Sequence, residues 1–179
     1  MEWSDIPRFS GWGRYSCDVT WNDLEYQIQR YINEYNLTLD PDFQRGHVWS
    51  EDKRIAYVEY VLKGGNQNRH IIFNHPGWFT DFRGEMTLVD GKQRLESTRR
   101  FLNNELPIFN GTYRKDFTRG GELSSRISSD YSFKFYINDL RTRKELLQFY
   151  LDLNTGGVVH TEEEINRVKE LLVKENNGY

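Results

Sequence analysis

The sequence predicts an α+β domain in which a small mixed sheet is flanked by helices, and three observations carry that reading. Apolar residues recur with helical spacing in some segments and with strand spacing in others, and the two kinds follow one another along the chain. No internal repeat, low-complexity tract or Pro/Ser-rich linker divides the 179 residues, so a single domain over 1–179 is expected, with 1–19 as an N-terminal extension. A content of 37% hydrophobic and 28% charged residues suits one soluble core. That core must be built from large side chains, because alanine occurs once, at Ala56, against 27 Trp, Tyr and Phe residues.

The elements follow in order. Leu24, Ile28, Tyr31 and Ile32 mark a helix over about 22–35, with Asn22 or Asp23 placed to cap it. The segment LTLDPDFQRGHVW alternates and is then broken by Pro41, which reads as a short strand entering a loop. A second helix is expected over 51–63, with Ser50 as N-cap, Glu51 and Asp52 in the first turn, and Ile55, Val58 and Leu62 as its apolar stripe. Gly64 and Gly65 end it. IIF at 71–73 and MTLV at 86–89 read as strands, joined by a Pro- and Gly-containing turn. Leu95, Thr98, Phe101 and Leu102 then mark a helix over 91–104. Residues 109–131 are polar and read as a long loop or inserted hairpin. A strand at 132–138 precedes a helix at 141–152, the loop NTGGVVH, and a last helix opened by Thr161 with Glu164 in a capping box.

Charge and motif absences narrow the function. No run approaches the ~18 apolar residues of a bilayer span, and MEWSDIPRFSGWGRYS has no secretory pattern, so a cytoplasmic protein without a membrane partner is expected. The single Cys17 rules out an internal disulfide or a cysteine-cluster zinc site. The formal net charge of −3 is unevenly sorted: −4 over residues 1–40, +4 over 41–150 and −3 over 151–179. A cationic middle suits an anion-binding centre, although solvated helix faces sort charge in the same way. No G-x-x-x-x-G-K-[ST], H-E-x-x-H or complete G-x-G-x-x-G occurs. His47, His70, His75 and His160 lack metal-ligand spacing and read as structural or exposed.

Three clusters have the residue types for anion chemistry. LVDGKQR places Asp90 at a helix cap, Gly91 and Lys92 in the first turn and Arg94 one turn in, where free backbone N–H groups and the helix dipole attract phosphate. Asp90 is either a plain N-cap, a ligand for a divalent ion, or a base. In FQRGHVW, Gln44 and Arg45 are set to meet phosphate while Phe43 and Trp49 either offer rings to a base or anchor the loop in the core, anchoring being the better reading for Trp49. In LNTGG, Asn154, Thr155, Gly156 and Gly157 either present donors to an anion or form a tight interhelix turn.

In order and spacing the three clusters resemble the bacterial and phage domains marked by a DGQQR motif, found at the N-terminus of GmrSD-type restriction enzymes and SspE-type defence proteins. Those domains are similar to the ParB/sulfiredoxin fold. The resemblance rests on Pro41, Phe43, Gln44, Arg45, Val48 and Trp49, then Val89 through Leu95, then Asn154 through Gly157 before Thr161, and it spans roughly residues 20–170. It implies a ParB/sulfiredoxin-like domain that binds a nucleoside triphosphate, with phosphates at the Asp90–Arg94 helix start and the FQR loop completing the pocket. It also implies NTP hydrolysis or phosphoryl transfer in a DNA-modification or defence setting. Asp90, Arg94 and Arg45 are then the expected catalytic residues. Phe43, Gln44, Arg45, Gly91, Lys92, Gln93, Arg94, Asn154, Thr155, Gly156 and Gly157 are the expected nucleotide-binding residues, with Mg²⁺ held by the phosphates and Asp90. Lys92 departs from the family's usual Gln. The chain stops at Tyr179 without a His/Asn metal-finger signature, so an autonomous restriction nuclease is not expected. Two alternatives stay open: an enzyme acting on DNA as a nickase or modified-base kinase, and a non-enzymatic nucleotide-sensing or host-interaction module.

Overall fold

The central strand of the sheet is SFKFYIN, whose alternation sends Phe133, Phe135 and Ile137 into one core and Tyr136 into another. This arrangement comes from a computed structural model that describes residues 15–44, 49–119, 122–123, 130–155 and 162–176. In chain order its elements are β1 (Tyr15–Thr20), α1 (Leu24–Tyr35), a 3₁₀ turn (Asp42–Gln44), α2 (Glu51–Leu62), β2 (His70–Asn74), β3 (Thr87–Asp90) and α3 (Lys92–Leu102). There follow a 3₁₀ turn (Arg114–Asp116), β4 (Thr118–Arg119), β5 (Glu122–Leu123), β6 (Ser132–Asn138), α4 (Arg143–Thr155) and α5 (Glu162–Asn176).

The four-stranded sheet has the order β1-β6-β2-β3; β6 is parallel to β2 and the outer pairs are antiparallel. It is therefore the small mixed sheet expected, with helices on both faces. Ile71, Phe73, Leu88 and Phe135 face α1, α2 and α3, whereas Ile72 and Val89 face α4, α5 and the ring of Phe43. Among the described residues no helix is long and apolar enough to cross a membrane.

Several expectations shift by physical detail. Residues 15–20, expected within an N-terminal extension, form the edge strand β1, which pairs with β6 from Tyr15↔Ile137 to Thr20↔Ser132. Only Val19 of that strand is buried, so its alternation is weak in the sequence. The LTL strand reduces to one bridge, Thr38↔Thr87, on the free edge of β3. Asp23 does precede α1 as N-cap, but its carboxylate accepts the Thr20 hydroxyl at 2.7 Å and makes no capping bond. The buried stripe of α2 is Arg54, Tyr57, Val58 and Val61, with Ile55 and Leu62 only partly covered. The stripe is rotated because a buried arginine occupies one of its positions. Within 109–131, β4 and β5 form a two-stranded hairpin.

The end of β2 is locked to the segment after β6 by one side chain. Asn74 is buried; its Nδ2 donates to the Leu140 carbonyl at 3.1 Å and its Oδ1 accepts the Leu140 N–H at 2.8 Å. Asn74→Ala leaves both backbone groups unpaired in a dry place and is expected to cost about 2–3 kcal/mol. Asn74→Asp, which keeps the acceptor and loses the donor, is expected to be at least as harmful. Denaturant midpoints check this, and unchanged midpoints in both variants would contradict the anchoring role.

Candidate functional site

The passage from β3 into α3 needs a residue with positive φ, and Gly91 supplies it at φ +100° and ψ 9°. A Cβ there would lie 2.6 Å from Ile71 Cδ1 and 3.2 Å from the His70 carbonyl oxygen, so space as well as backbone selects glycine. The cap of α3 is thus Gly91, which corrects the expectation that Asp90 caps the helix. Asp90 is the last residue of β3, opposite Ile72, and its carboxylate turns to side chains instead.

Those side chains are Arg94 and His70. Arg94, one turn into α3, donates from NH2 to Asp90 Oδ2 at 2.5 Å, and His70 Nε2 lies 3.6 Å from the same oxygen. Burial alone pushes the Asp90 carboxyl up; the His70 imidazole and the charge and hydrogen bond of Arg94 outweigh it and bring the group down to about 2. A carboxylate so firmly ionised suits ion pairing and is a poor proton acceptor near neutral pH. His70, which sequence reasoning set aside as structural, is brought to the site by β2.

The FQR segment is fastened to the same junction at both of its described ends. Gln44 donates from Nε2 to the Val89 carbonyl, and Trp49 N–H donates to Gln93 Oε1 at 3.0 Å. Arg54 supports the second anchor, donating from NH2 to Gln93 Oε1 at 2.8 Å and to Glu96 at 3.1 Å, and from Nε to the Trp49 carbonyl at 3.3 Å. Sequence reasoning missed Arg54; the signal was a charged residue at a stripe position of α2, where a buried cation needs partners. Arg45 lies between the two anchors, outside the described residues.

Phe43 is 1% exposed and packs on Tyr150 with ring centroids 4.9 Å apart. Its ring is enclosed by α4 and α5, so it anchors the segment and offers no face to a base. Trp49 is partly buried against Tyr57, in keeping with anchoring. Lys92 is tied to Asp40 at 2.6 Å. In the third cluster, Asn154 and Thr155 extend α4 where a loop was expected, and the Asn154 side-chain Nδ2 donates back to the Tyr150 carbonyl at 2.7 Å. Through Tyr150 this end of α4 supports Phe43 from behind. Gly156, Gly157 and Thr161 lie outside the described residues.

Three buried polar atoms around the junction have no hydrogen-bond partner among the described residues: the Arg94 Nε and Arg54 NH1 donors and the Gln44 Oε1 acceptor. Such atoms are uncommon in folded proteins and call for a ligand, ion or water. Arg94 Nε belongs to the first turn of α3, where the first backbone N–H groups have no helical partner, as a phosphate site requires. Other cations of the central segment are matched by acids: Arg99 with Glu25 and Arg100 with Glu51 through paired bonds of 2.7–2.8 Å, and Arg143 with Asp42 at 2.6 Å. A polar cleft of about 250 Å³ beside Arg54, Glu96, Arg99 and Arg100 is lined by both signs of charge. No group of three or more His, Cys, Asp or Glu is arranged to hold a metal among the described residues.

Two outcomes follow at the junction. Gly91→Ala is expected to destabilise the domain by about 1–2 kcal/mol through its positive φ, read as a lowered thermal midpoint. The Asp90 carboxyl titrates lower in the folded chain than in the unfolded one, so its stabilisation is present above about pH 4 and is lost as pH falls through about 2. Asp90→Asn is therefore expected to cost about 1–2 kcal/mol at pH 7, after allowance for solvent screening, and the gap from wild type should close in acid. A gap that stays constant from pH 7 to pH 2.5 would contradict this.

Comparison with known proteins agrees with this geometry. The family described as GmrSD restriction endonuclease, N-terminal domain, matches residues 27–174, a span that holds all three clusters. No curated protein and no solved structure matches the chain. With a match over most of its length, the chain belongs to the family of GmrSD restriction endonuclease N-terminal domains.

Proposed function

We propose that this domain binds a nucleoside triphosphate with its phosphates at the start of α3, and hydrolyses it or transfers a phosphoryl group, in the service of DNA restriction or defence. The observation that carries the reading is the buried Arg94 Nε, a donor without a partner in the first turn of an eleven-residue helix. An anion there meets backbone N–H groups, the helix dipole and a guanidinium held in place by Asp90. Gly91 turns the chain so that the first amides of α3 are free, and Lys92 is within reach once it leaves the exposed Asp40. The restriction setting enters through the family.

Phosphoryl transfer asks a protein chiefly for positioning and charge neutralisation, and these residues supply both. Arg94 and Arg45 neutralise charge on the transferring group, while Asp90 orients Arg94. Mg²⁺ enters this reading as the counter-ion of the phosphates, which provide its ligands. Asp90, already committed to Arg94 and His70, contributes at most one oxygen.

A second reading, nucleotide sensing without turnover, is favoured by the firmly ionised Asp90, which is unsuited to activate a water. DNA as a partner is favoured by the family itself, although Lys92, Arg99, Arg100 and Arg143 of the central segment are each paired with a carboxylate. Calorimetry with the four ribonucleoside triphosphates tests the main reading. Arg94→Ala is expected to weaken binding by about 10- to 100-fold, the range of a charge-assisted hydrogen bond, and Arg45→Ala by about tenfold. Equal affinity in wild type and both variants would overturn it, and tight binding with no phosphate release under any divalent metal would move the assignment to sensing.

A further inference from the structure

We infer that Gln44 is a specificity-determining residue of this site, and that the group it selects is a hydrogen-bond donor on the nucleoside part of the ligand, a ribose hydroxyl or an N–H of the base. The inference rests on the proposal that phosphates bind at the start of α3, and it names what lies beyond them.

The argument begins with the orientation of one carboxamide. The Gln44 atom that meets the Val89 carbonyl must be nitrogen, because two oxygen acceptors do not bond. Its other end is then the oxygen. Gln44 is 9% exposed, and its Oε1 is buried without a donor among the described residues. The residue cannot turn away to relieve this, since Phe43 beside it is sealed between the sheet and α4 and its own Nε2 is held by Val89.

Position and chemistry then restrict the occupant. Val89 is two residues before Gly91, a span of at most about 7 Å of chain, so the carboxamide lies within the length of one nucleoside of the helix start. The other buried unpaired side-chain atoms beside the junction, Arg94 Nε and Arg54 NH1, are donors, as are the first amides of α3. Those suit phosphate oxygens. Ionised phosphate has no hydrogen to give, so it cannot satisfy Gln44 Oε1. A molecule that meets both kinds of group carries an anion at one end and an O–H or N–H donor at the other, as a nucleotide does and inorganic polyphosphate does not. A site that buries an acceptor rejects ligands lacking the matching donor, because the acceptor is then left dry and unpaired.

Calorimetry on the full chain with Mg²⁺ tests this by deleting donors from the ligand. The probes are the tightest-binding of the four ribonucleoside triphosphates, its 2′-deoxy and 3′-deoxy forms, an analogue without the hydrogen-bond donors of its base, and tripolyphosphate. In wild type, one of these deletions is expected to weaken binding by about 10- to 100-fold, and the analogue that suffers says whether sugar or base supplies the donor. In Gln44→Met, which keeps the volume and removes both polar atoms, the loss of the Val89 bond lowers affinity for every ligand by a common factor, tripolyphosphate included, and the deleted and intact nucleotides should bind alike. Wild-type affinities within threefold of one another across all analogues would overturn the inference while leaving the phosphate site standing, and would point to a buried water on Gln44. Discrimination that survives in Gln44→Met would overturn it too. If wild type binds neither nucleotides nor tripolyphosphate, the phosphate reading itself fails and takes this inference with it.

Discussion

The left-handed turn at Gly91 is the constraint on which the rest of the site depends. It lets a strand buried on both faces pass into a helix with no intervening loop, so the last residues of β3 and the first of α3 form one rigid corner. Two neighbours take their position from that corner. The segment 43–49 is tied to it through the Val89 carbonyl at one end and Gln93 at the other, and β2 brings His70 alongside through its ladder with β3. A side chain at position 91 would disturb all three at once, because its Cβ would fall against Ile71 and the His70 carbonyl.

Electrostatics then divide the corner into paired and unpaired groups. Asp90 is flanked by Arg94 and His70 and stays ionised, so its role is to hold a guanidinium in a fixed orientation. Preorganisation of this kind matters for anion binding, since an arginine already oriented loses less entropy when the ligand arrives. The cost is one uncommitted donor, Arg94 Nε, buried beside the helix start. Farther along α3, Arg99 and Arg100 are each held by a glutamate from α1 or α2, and the Arg99–Glu25 pair sets part of the positive balance of the central segment against an acid from outside it.

Much of this was legible in the sequence, and the reasons are local. The strand–Gly–helix junction, the Ser50 cap, the boundaries of β6 and the apolar stripes of α1 and α3 all arise from neighbouring residues, and all are found close to their expected places. What failed depends on partners far away in the chain. Arg54 carries no role of its own until Gln93 and Glu96, about forty residues on, are placed beside it. Phe43 reads either as a ring for a base or as an anchor until α4 and α5 close over it, more than a hundred residues later. The segmental charge of +4 could not reveal that Glu25 and Asp40, counted in another segment, neutralise Arg99 and Lys92.

The same distinction explains why the motif residues have unequal parts. A motif read as a string suggests that each of Gln44, Asp90, Gly91, Lys92, Gln93 and Arg94 touches the ligand. In the folded chain Gln93 has its oxygen filled by Trp49 and Arg54, Gly91 serves the backbone, and Asp90 serves Arg94. Unmet hydrogen-bonding capacity is concentrated on Arg94 and Gln44, one a donor and the other an acceptor. A site with only donors would hold any small anion of the right size. A buried acceptor set within a nucleoside's length of them demands a ligand with a second, proton-bearing end, and so converts a general phosphate corner into one that can read what the phosphate is attached to.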